Sequence, residues 1–187
     1  RSSDLKKNIL KKKWLNSLLE EIAFLKKNSK EIIIVSSGSI ALGKSALKLS
    51  SNKLRLDESQ ASAAVGQIKL AQSYNLILKR HNIQTAQVLL TSDDSQNRRR
   101  YLNIRSTLKS LLKMGVIPIV NENDTVATEE IKFGDNDRLA AQVALITEAN
   151  LLILLSDIDG LYDKDPNINP DAKHLALIKE VTRKMLN

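Results

Sequence analysis

Two clusters of carboxylate and carboxamide side chains lie on either side of a short connector in the middle of the chain. They are Asn121-Glu122-Asn123-Asp124 and Gly134-Asp135-Asn136-Asp137, with Glu129 between them. Oxygen ligands of this kind suit a magnesium ion, and a carboxylate flanked by carboxamide oxygens also suits the ammonium group of a small molecule. A structural explanation stays open too, because Asn and Asp favour turns and helix caps through local hydrogen bonds.

The elements around these clusters are typical of a parallel α/β sheet. Val116–Val120 is a predicted strand that runs into the first cluster, and the second cluster opens a predicted helix over Asp137–Ala149. Other apolar strands are predicted at Glu31–Val35, Ile83–Leu90 and Leu151–Leu155, and amphipathic helices at Lys11–Lys27, Asp57–Arg80 and Tyr101–Lys113. This alternation predicts a mainly parallel sheet with helices on both faces. Ligands of such sheets bind at the carboxyl ends of the strands, where the clusters stand.

A turn of small residues, Ser36-Ser37-Gly38-Ser39, follows the first predicted strand and leads into a helix. Free backbone N–H groups at the start of a helix attract anions, and small side chains let an anion approach them. The turn is therefore a candidate anion site, although a plain turn with a serine helix cap has the same sequence. Small residues from Ala61 to Gly66 predict close packing of the next helix against another helix or a subunit.

Composition narrows the class of protein. The chain has 187 residues, a formal net charge of +8, no cysteine and 3% aromatic residues. Disulfides and thiolate metal sites are excluded, no apolar run reaches the roughly 18 residues of a membrane span, and a cytoplasmic protein is expected. The basic charge attracts anions such as nucleotides. Nucleic acid is not expected as a partner, because stacking side chains are scarce. His81 and His174 are isolated and are expected to be surface or structural residues, whereas Tyr162 could face a nucleotide base or close the core.

Six segments resemble, in the same order, the glutamate 5-kinase branch of the amino-acid kinase family. They are Val35–Gly43, Ala64–Gln67, Gln87–Thr91, Pro118–Asp124, Phe133–Asp137 with Leu139–Ala141, and Leu155–Tyr162. The resemblance covers nearly everything from Glu31 to Pro170. The segment Gly160-Leu161-Tyr162 and the acidic turn after it are shared by several amino-acid kinases, whereas the two acidic motifs together are more specific.

The resemblance implies a three-layer α/β/α sandwich with a mainly parallel central sheet, the amino-acid kinase fold. It also implies phosphorylation of the γ-carboxylate of L-glutamate with ATP and Mg²⁺, which gives L-glutamyl 5-phosphate in the first step of proline biosynthesis. By this resemblance, the substrate-binding residues are Ser37, Gly38, Asp124 and Asn136, and Asp137 is a catalytic organiser. Ser156 and Asp157 are the pair that contacts the nucleotide, and no protein residue is expected to bind a metal. Proline as feedback inhibitor and a homo-oligomer, dimer or tetramer, are implied in the same way.

The chain departs from the family pattern at both ends. It begins Arg1-Ser2-Ser3-Asp4 without the family's Lys-x-Gly-Ser strand, and it reaches Asn187 without the Gly-Gly-Met-x-Thr-Lys segment. Residues 1–187 are therefore expected to form a partial amino-acid kinase domain, incomplete at both ends, with the glutamate lobe and the start of the nucleotide lobe. Two alternatives are a catalytically silent amino-acid-binding module of this fold and a sister kinase acting on another carboxylate.

Overall fold

A computed structural model describes residues 12–51, 54–91, 94, 96–126, 135–156 and 158–179. The chain divides into two compact units, Ser2–Leu152 and Ile153–Asn187, and each is described by itself. The first unit contains both acidic clusters and the small-residue turn.

Helices and strands alternate through the first unit. The described elements are α1 (Lys12–Lys27), β1 (Ile34–Val35), α2 (Ser39–Ala46), α3 (Leu56–Lys79), β2 (Thr85–Leu90), α4 (Arg98–Lys113), β3 (Ile117–Glu122) and α5 (Asp135–Thr147). Every predicted helix is present, with its ends displaced by a few residues. At the start of α4 the Asn97 side chain accepts hydrogen bonds from the backbone nitrogens of Arg99 and Arg100 at 3.0 and 3.1 Å, which caps the helix.

The three strands form a parallel sheet in the order β1-β3-β2. Side chains alternate between the two faces of the central strand. Ile117 and Ile119 of β3 pack with α1 and α3 on one face, while Val120 packs with Leu108 of α4 and Val143 of α5 on the other. Helices therefore cover both faces, and the expected α/β/α sandwich with a parallel sheet is confirmed.

The predicted strands at Ile83–Leu90 and Val116–Val120 are present with bounds shifted by one or two residues, and the first and last predicted strands differ more. The first is shorter than Glu31–Val35, since only Ile34 and Val35 pair with β3. The prediction of a strand at Leu151–Leu155 is wrong, because the structure describes these residues and none of them is in a strand. The five apolar side chains are between 41% and 74% exposed. A strand forms only where a neighbour accepts its backbone hydrogen bonds, and no described strand pairs with this segment.

The second unit is built around a short antiparallel hairpin of β4 (Leu161–Tyr162) and β5 (His174–Leu175). The rings of Tyr162 and His174 meet edge to face with centroids 5.2 Å apart, and the Tyr162 hydroxyl donates to Asp159 Oδ1 at 2.9 Å. His174 is exposed and also contacts Tyr162, which agrees with the expected surface or structural role. Tyr162 packs within its own unit. No helix in the described residues is long and apolar enough to cross a membrane.

Candidate functional site

The candidate site lies where β1 and β3 end. These neighbouring strands run parallel, with Val35 opposite Val120, and the backbone nitrogen of Ser36 donates to the carbonyl of Val120 at 2.9 Å. Carboxyl ends of parallel strands share one edge of the sheet. The turn after β1 and the first acidic cluster, which starts in the last two residues of β3, are consequently brought together, as the sequence predicted.

The small-residue turn directs the chain into α2. Gly38 has φ +100°, a left-handed conformation that side chains other than glycine rarely adopt, and its carbonyl accepts the first helical hydrogen bond, from Leu42 at 3.0 Å. Ser37 and Gly38 are both exposed. Among the described residues no side-chain hydrogen bond caps α2, so a serine cap does not explain this turn.

The first acidic cluster begins inside β3 and does not follow its end. Asn121 and Glu122 belong to the strand, and Asn121 is only 3% exposed. Within the described residues, the amide nitrogen of its side chain has no hydrogen-bond partner. Asp124 starts a short 3-10 turn and is 6% exposed. The Ser39 hydroxyl donates to Asp124 Oδ2 at 3.0 Å and thus joins the start of α2 directly to this cluster.

Helix α3 supports both halves of the site from behind. The Gln67 side-chain nitrogen donates to the carbonyl of Glu122 at 3.3 Å. Tyr74 and Ser36 share a buried hydrogen bond of 2.9 Å between their hydroxyls. Burial raises the pKa of Tyr74, and the bond to Ser36 partly opposes that rise. The phenol therefore stays neutral and holds the end of β1.

The second cluster begins α5, although Gly134 and Glu129 lie outside the described residues. Helix α5 packs on Val120 through Leu139 and Val143. Asn136, in its first turn, has a buried side-chain oxygen with no hydrogen-bond partner among the described residues. Asp137 is exposed. The first turn of α5 thus holds one buried carboxamide oxygen that lacks a described donor and one accessible carboxylate.

The predicted nucleotide pair is only half described. Ser156 is exposed in the second unit, where its hydroxyl accepts a hydrogen bond from the backbone nitrogen of Ile158 at 3.3 Å. Asp157 lies outside the described residues. In the ranges that the structure describes, no group of three or more His, Asp or Glu is arranged to hold a metal ion.

Sequence reasoning placed Ser39 in the candidate anion turn but missed its bond to Asp124, and it assigned no site role to Gln67 or Tyr74. Their contacts join residues that are far apart in the chain, such as the 85 positions between Ser39 and Asp124. A partial signal existed in the small residues of α3, which predicted close packing. That prediction is confirmed, because a Cβ on Gly43 or Gly66 would lie 1.7 Å from a carbonyl oxygen of the facing helix.

Comparison with known proteins identifies the family of the chain. The model of the Amino acid kinase family matches residues 3–185. Three similar proteins are each named Glutamate 5-kinase. The one from Agrobacterium fabrum is 58% identical to this chain over 177 residues, the one from Ruegeria sp. 57% over 179 residues, and the one from Roseobacter denitrificans 58% over 173 residues. These alignments cover 95%, 96% and 92% of this chain and 46%, 49% and 46% of the relatives. The chain therefore spans about half the length of these relatives.

Proposed function

Because the chain belongs to the amino acid kinase family, we propose that it is part of an enzyme that transfers the γ-phosphoryl group of ATP to the γ-carboxylate of L-glutamate. The product is L-glutamyl 5-phosphate, and the reaction is the first step of proline biosynthesis. Residues 1–187 then form part of an amino-acid kinase domain. The observation that carries the proposal is the hydrogen bond between Ser39 and Asp124, which joins a candidate anion site to a candidate ammonium site.

Glutamate has charged groups of both signs, and the two halves of the site match them. The exposed turn at Ser37 and Gly38 leads into the positive end of the α2 dipole, which favours a carboxylate or the transferring phosphoryl group. The buried Asp124 carboxylate favours the substrate ammonium. Asn136 contributes a buried oxygen whose hydrogen-bonding capacity the described residues leave unused, so it also accepts from the substrate.

Phosphoryl transfer depends mainly on positioning and on neutralising charge. An oxygen of the γ-carboxylate attacks the terminal phosphorus of ATP, a new P–O bond forms, and the bond to the β-phosphate oxygen breaks as ADP leaves. Asp137, exposed in the first turn of α5, orients the cationic groups that neutralise the transferring phosphoryl group. It acts through these groups and makes no bond to phosphorus.

ATP and Mg²⁺ are the proposed co-substrate, with Ser156 and Asp157 contacting the nucleotide. Mg²⁺ commonly keeps waters and binds substrate phosphates with one or two carboxylates, without a full protein cage. We therefore propose that Mg²⁺ enters with the ATP phosphates.

The remaining partners are proposed from the family resemblance. We propose that proline inhibits at the glutamate site, since it carries the same α-carboxylate and a similar ammonium. We also propose a cytoplasmic homo-oligomer, a dimer or tetramer.

The test is to trap the product. The complete protein is incubated with ATP, Mg²⁺ and hydroxylamine, and with L-glutamate, L-aspartate or N-acetyl-L-glutamate in parallel. An acyl phosphate reacts with hydroxylamine to give a hydroxamate, so glutamate should give hydroxamate and ADP in equal amounts. Preference for another carboxylate would indicate a sister kinase, and glutamate binding without ADP release would indicate a silent module; either result overturns the proposal.

A further inference from the structure

The side chain of Ser39 is buried and hydrogen-bonded. It is the first residue of α2, it is 2% exposed, and its hydroxyl donates to Asp124 Oδ2 at 3.0 Å. A hydroxyl at the first helical position could have stayed in solvent. Here it is directed into the gap between α2 and the turn after β3.

The backbone of Ser39 is held equally firmly. A Cβ on Gly66 would lie 1.7 Å from the Ser39 carbonyl oxygen, so α3 and the start of α2 touch through their backbones. The next residue of α3, Gln67, donates to the carbonyl of Glu122. Two adjacent residues of one helix therefore fix the donor Ser39 and the strand end that leads to Asp124.

We propose that Ser39 is a positioning residue that orients the Asp124 carboxylate toward the substrate ammonium. This inference rests on the proposed function, because it takes Asp124 to be the ammonium-binding group. When Oδ2 accepts the Ser39 hydroxyl, rotation of the carboxylate is restricted, which limits the directions open to its other oxygen. Removing the hydroxyl leaves Asp124 in place with a less defined orientation.

A packing role and a positioning role predict different kinetics. Packing alone would affect stability and leave the response to glutamate unchanged. A positioning role affects binding of glutamate in the ground state and transition state alike, which raises KM and leaves kcat unchanged.

The chain offers a matched control in Ser62. It is also a serine buried between α2 and α3, it is 0% exposed, and its hydroxyl has no hydrogen-bond partner within the described residues. Ser39→Ala and Ser62→Ala therefore remove the same atom from the same helix interface. In the complete protein, Ser39→Ala should raise the glutamate KM about tenfold, which corresponds to about 1.4 kcal/mol. Ser62→Ala should leave KM unchanged.

A double-mutant cycle links the effect to Asp124. In an Asp124→Asn background, Ser39→Ala should no longer change the glutamate KM, because the group that it orients has lost its charge. The positioning role would be overturned by equal KM values for Ser39→Ala and Ser62→Ala, or by effects of Ser39→Ala and Asp124→Asn that simply add. In either case, the proposed function would still stand if the wild-type protein phosphorylates glutamate. A wild-type protein that does not phosphorylate glutamate would overturn both.

Discussion

Asp124 is the residue on which the proposed site depends. A buried carboxylate costs desolvation free energy unless hydrogen bonds or opposite charges compensate it. Ser39 supplies part of that compensation, and a substrate ammonium would add to it. The residue types alone left open whether the ligand is an amine or a metal ion. The burial of Asp124 favours an amine ligand over a hydrated metal ion.

Asp137 should act on the rate. We expect Asp137→Asn in the complete protein to lower kcat far more than it alters the glutamate KM, because orienting cationic groups mainly stabilises the transition state. Steady-state kinetics with varied glutamate measures both constants. Glu20→Gln, which removes another exposed carboxylate from a helix, is the control. Wild-type kcat in Asp137→Asn would contradict the organising role.

The sequence predicted that acidic, carboxamide and serine residues meet at the site but not how their side chains contact each other. The two acidic motifs and the serine turn were visible as motifs and were placed at one sheet edge by the strand pattern. The hydrogen bond from Ser39 to Asp124 spans 85 positions. Such a contact depends on the exact approach of α2 to the turn after β3, which no local pattern encodes.

Among the elements, the crossing of α2 and α3 controls the geometry of the site. Gly43 lies against the carbonyl of Ser62, and Gly66 lies against the carbonyl of Ser39. Since a methyl group cannot fit at either place without backbone movement, the two helices are close enough to transmit small shifts to the site.

Gly66→Ala should therefore destabilise the protein. In an open helical position this change would stabilise by about 1 kcal/mol through helix propensity. Here we expect a loss of about 1–3 kcal/mol from overpacking, measured by urea unfolding. Ala64→Gly, at an exposed position of the same helix, is the control and should cost only the propensity term. A more stable Gly66→Ala variant would show that the crossing is looser than described.

Glu148 joins α4 to the end of α5. Its carboxylate oxygens lie 3.0 Å from Lys109 Nζ and 2.6 Å from Arg105 Nη2. The hydrogen bond from Lys109, followed by the charge of Arg105, lowers the pKa of Glu148 below its usual 4.5. A lowered folded-state pKa gives stability that is present above pH 4.5 and is lost as the pH falls through the folded-state value.

Glu148→Gln should remove this acid dependence. Wild type should lose stability relative to the variant as the pH falls below 4.5, and the difference should shrink in high salt because the pair is exposed. Urea unfolding at pH 7 and in the acid range measures it, with Glu20→Gln as control. Parallel curves for wild type and Glu148→Gln would mean that the bridge contributes nothing in solution.

Helices were easier to predict than strands. Apolar residues at helical spacing located α1 and α4 within a few residues. The apolar run Leu151–Leu155 predicted a strand from composition alone, but strand formation depends on a neighbouring strand, and the described chain provides none there.

The chain has the fold of the amino acid kinase family and spans about half the length of its relatives. The parallel sheet and the helices on both faces were predicted from the alternation of strands and helices, whereas the strand order β1-β3-β2 was not predicted. The net charge of +8 suits anionic substrates. The site that we propose for glutamate lies wholly within the first unit.

The most direct test of the central claim is calorimetric titration of the complete protein with L-glutamate. Wild type and Glu20→Gln should bind with equal affinity. Asp124→Asn should bind at least about 30-fold more weakly, since losing one partner of a buried charge pair costs about 2 kcal/mol or more. Thermal melts should show that all three proteins are folded. A folded Asp124→Asn variant that binds glutamate as tightly as wild type would contradict the claim that the edge formed by β1 and β3 holds the substrate through Asp124.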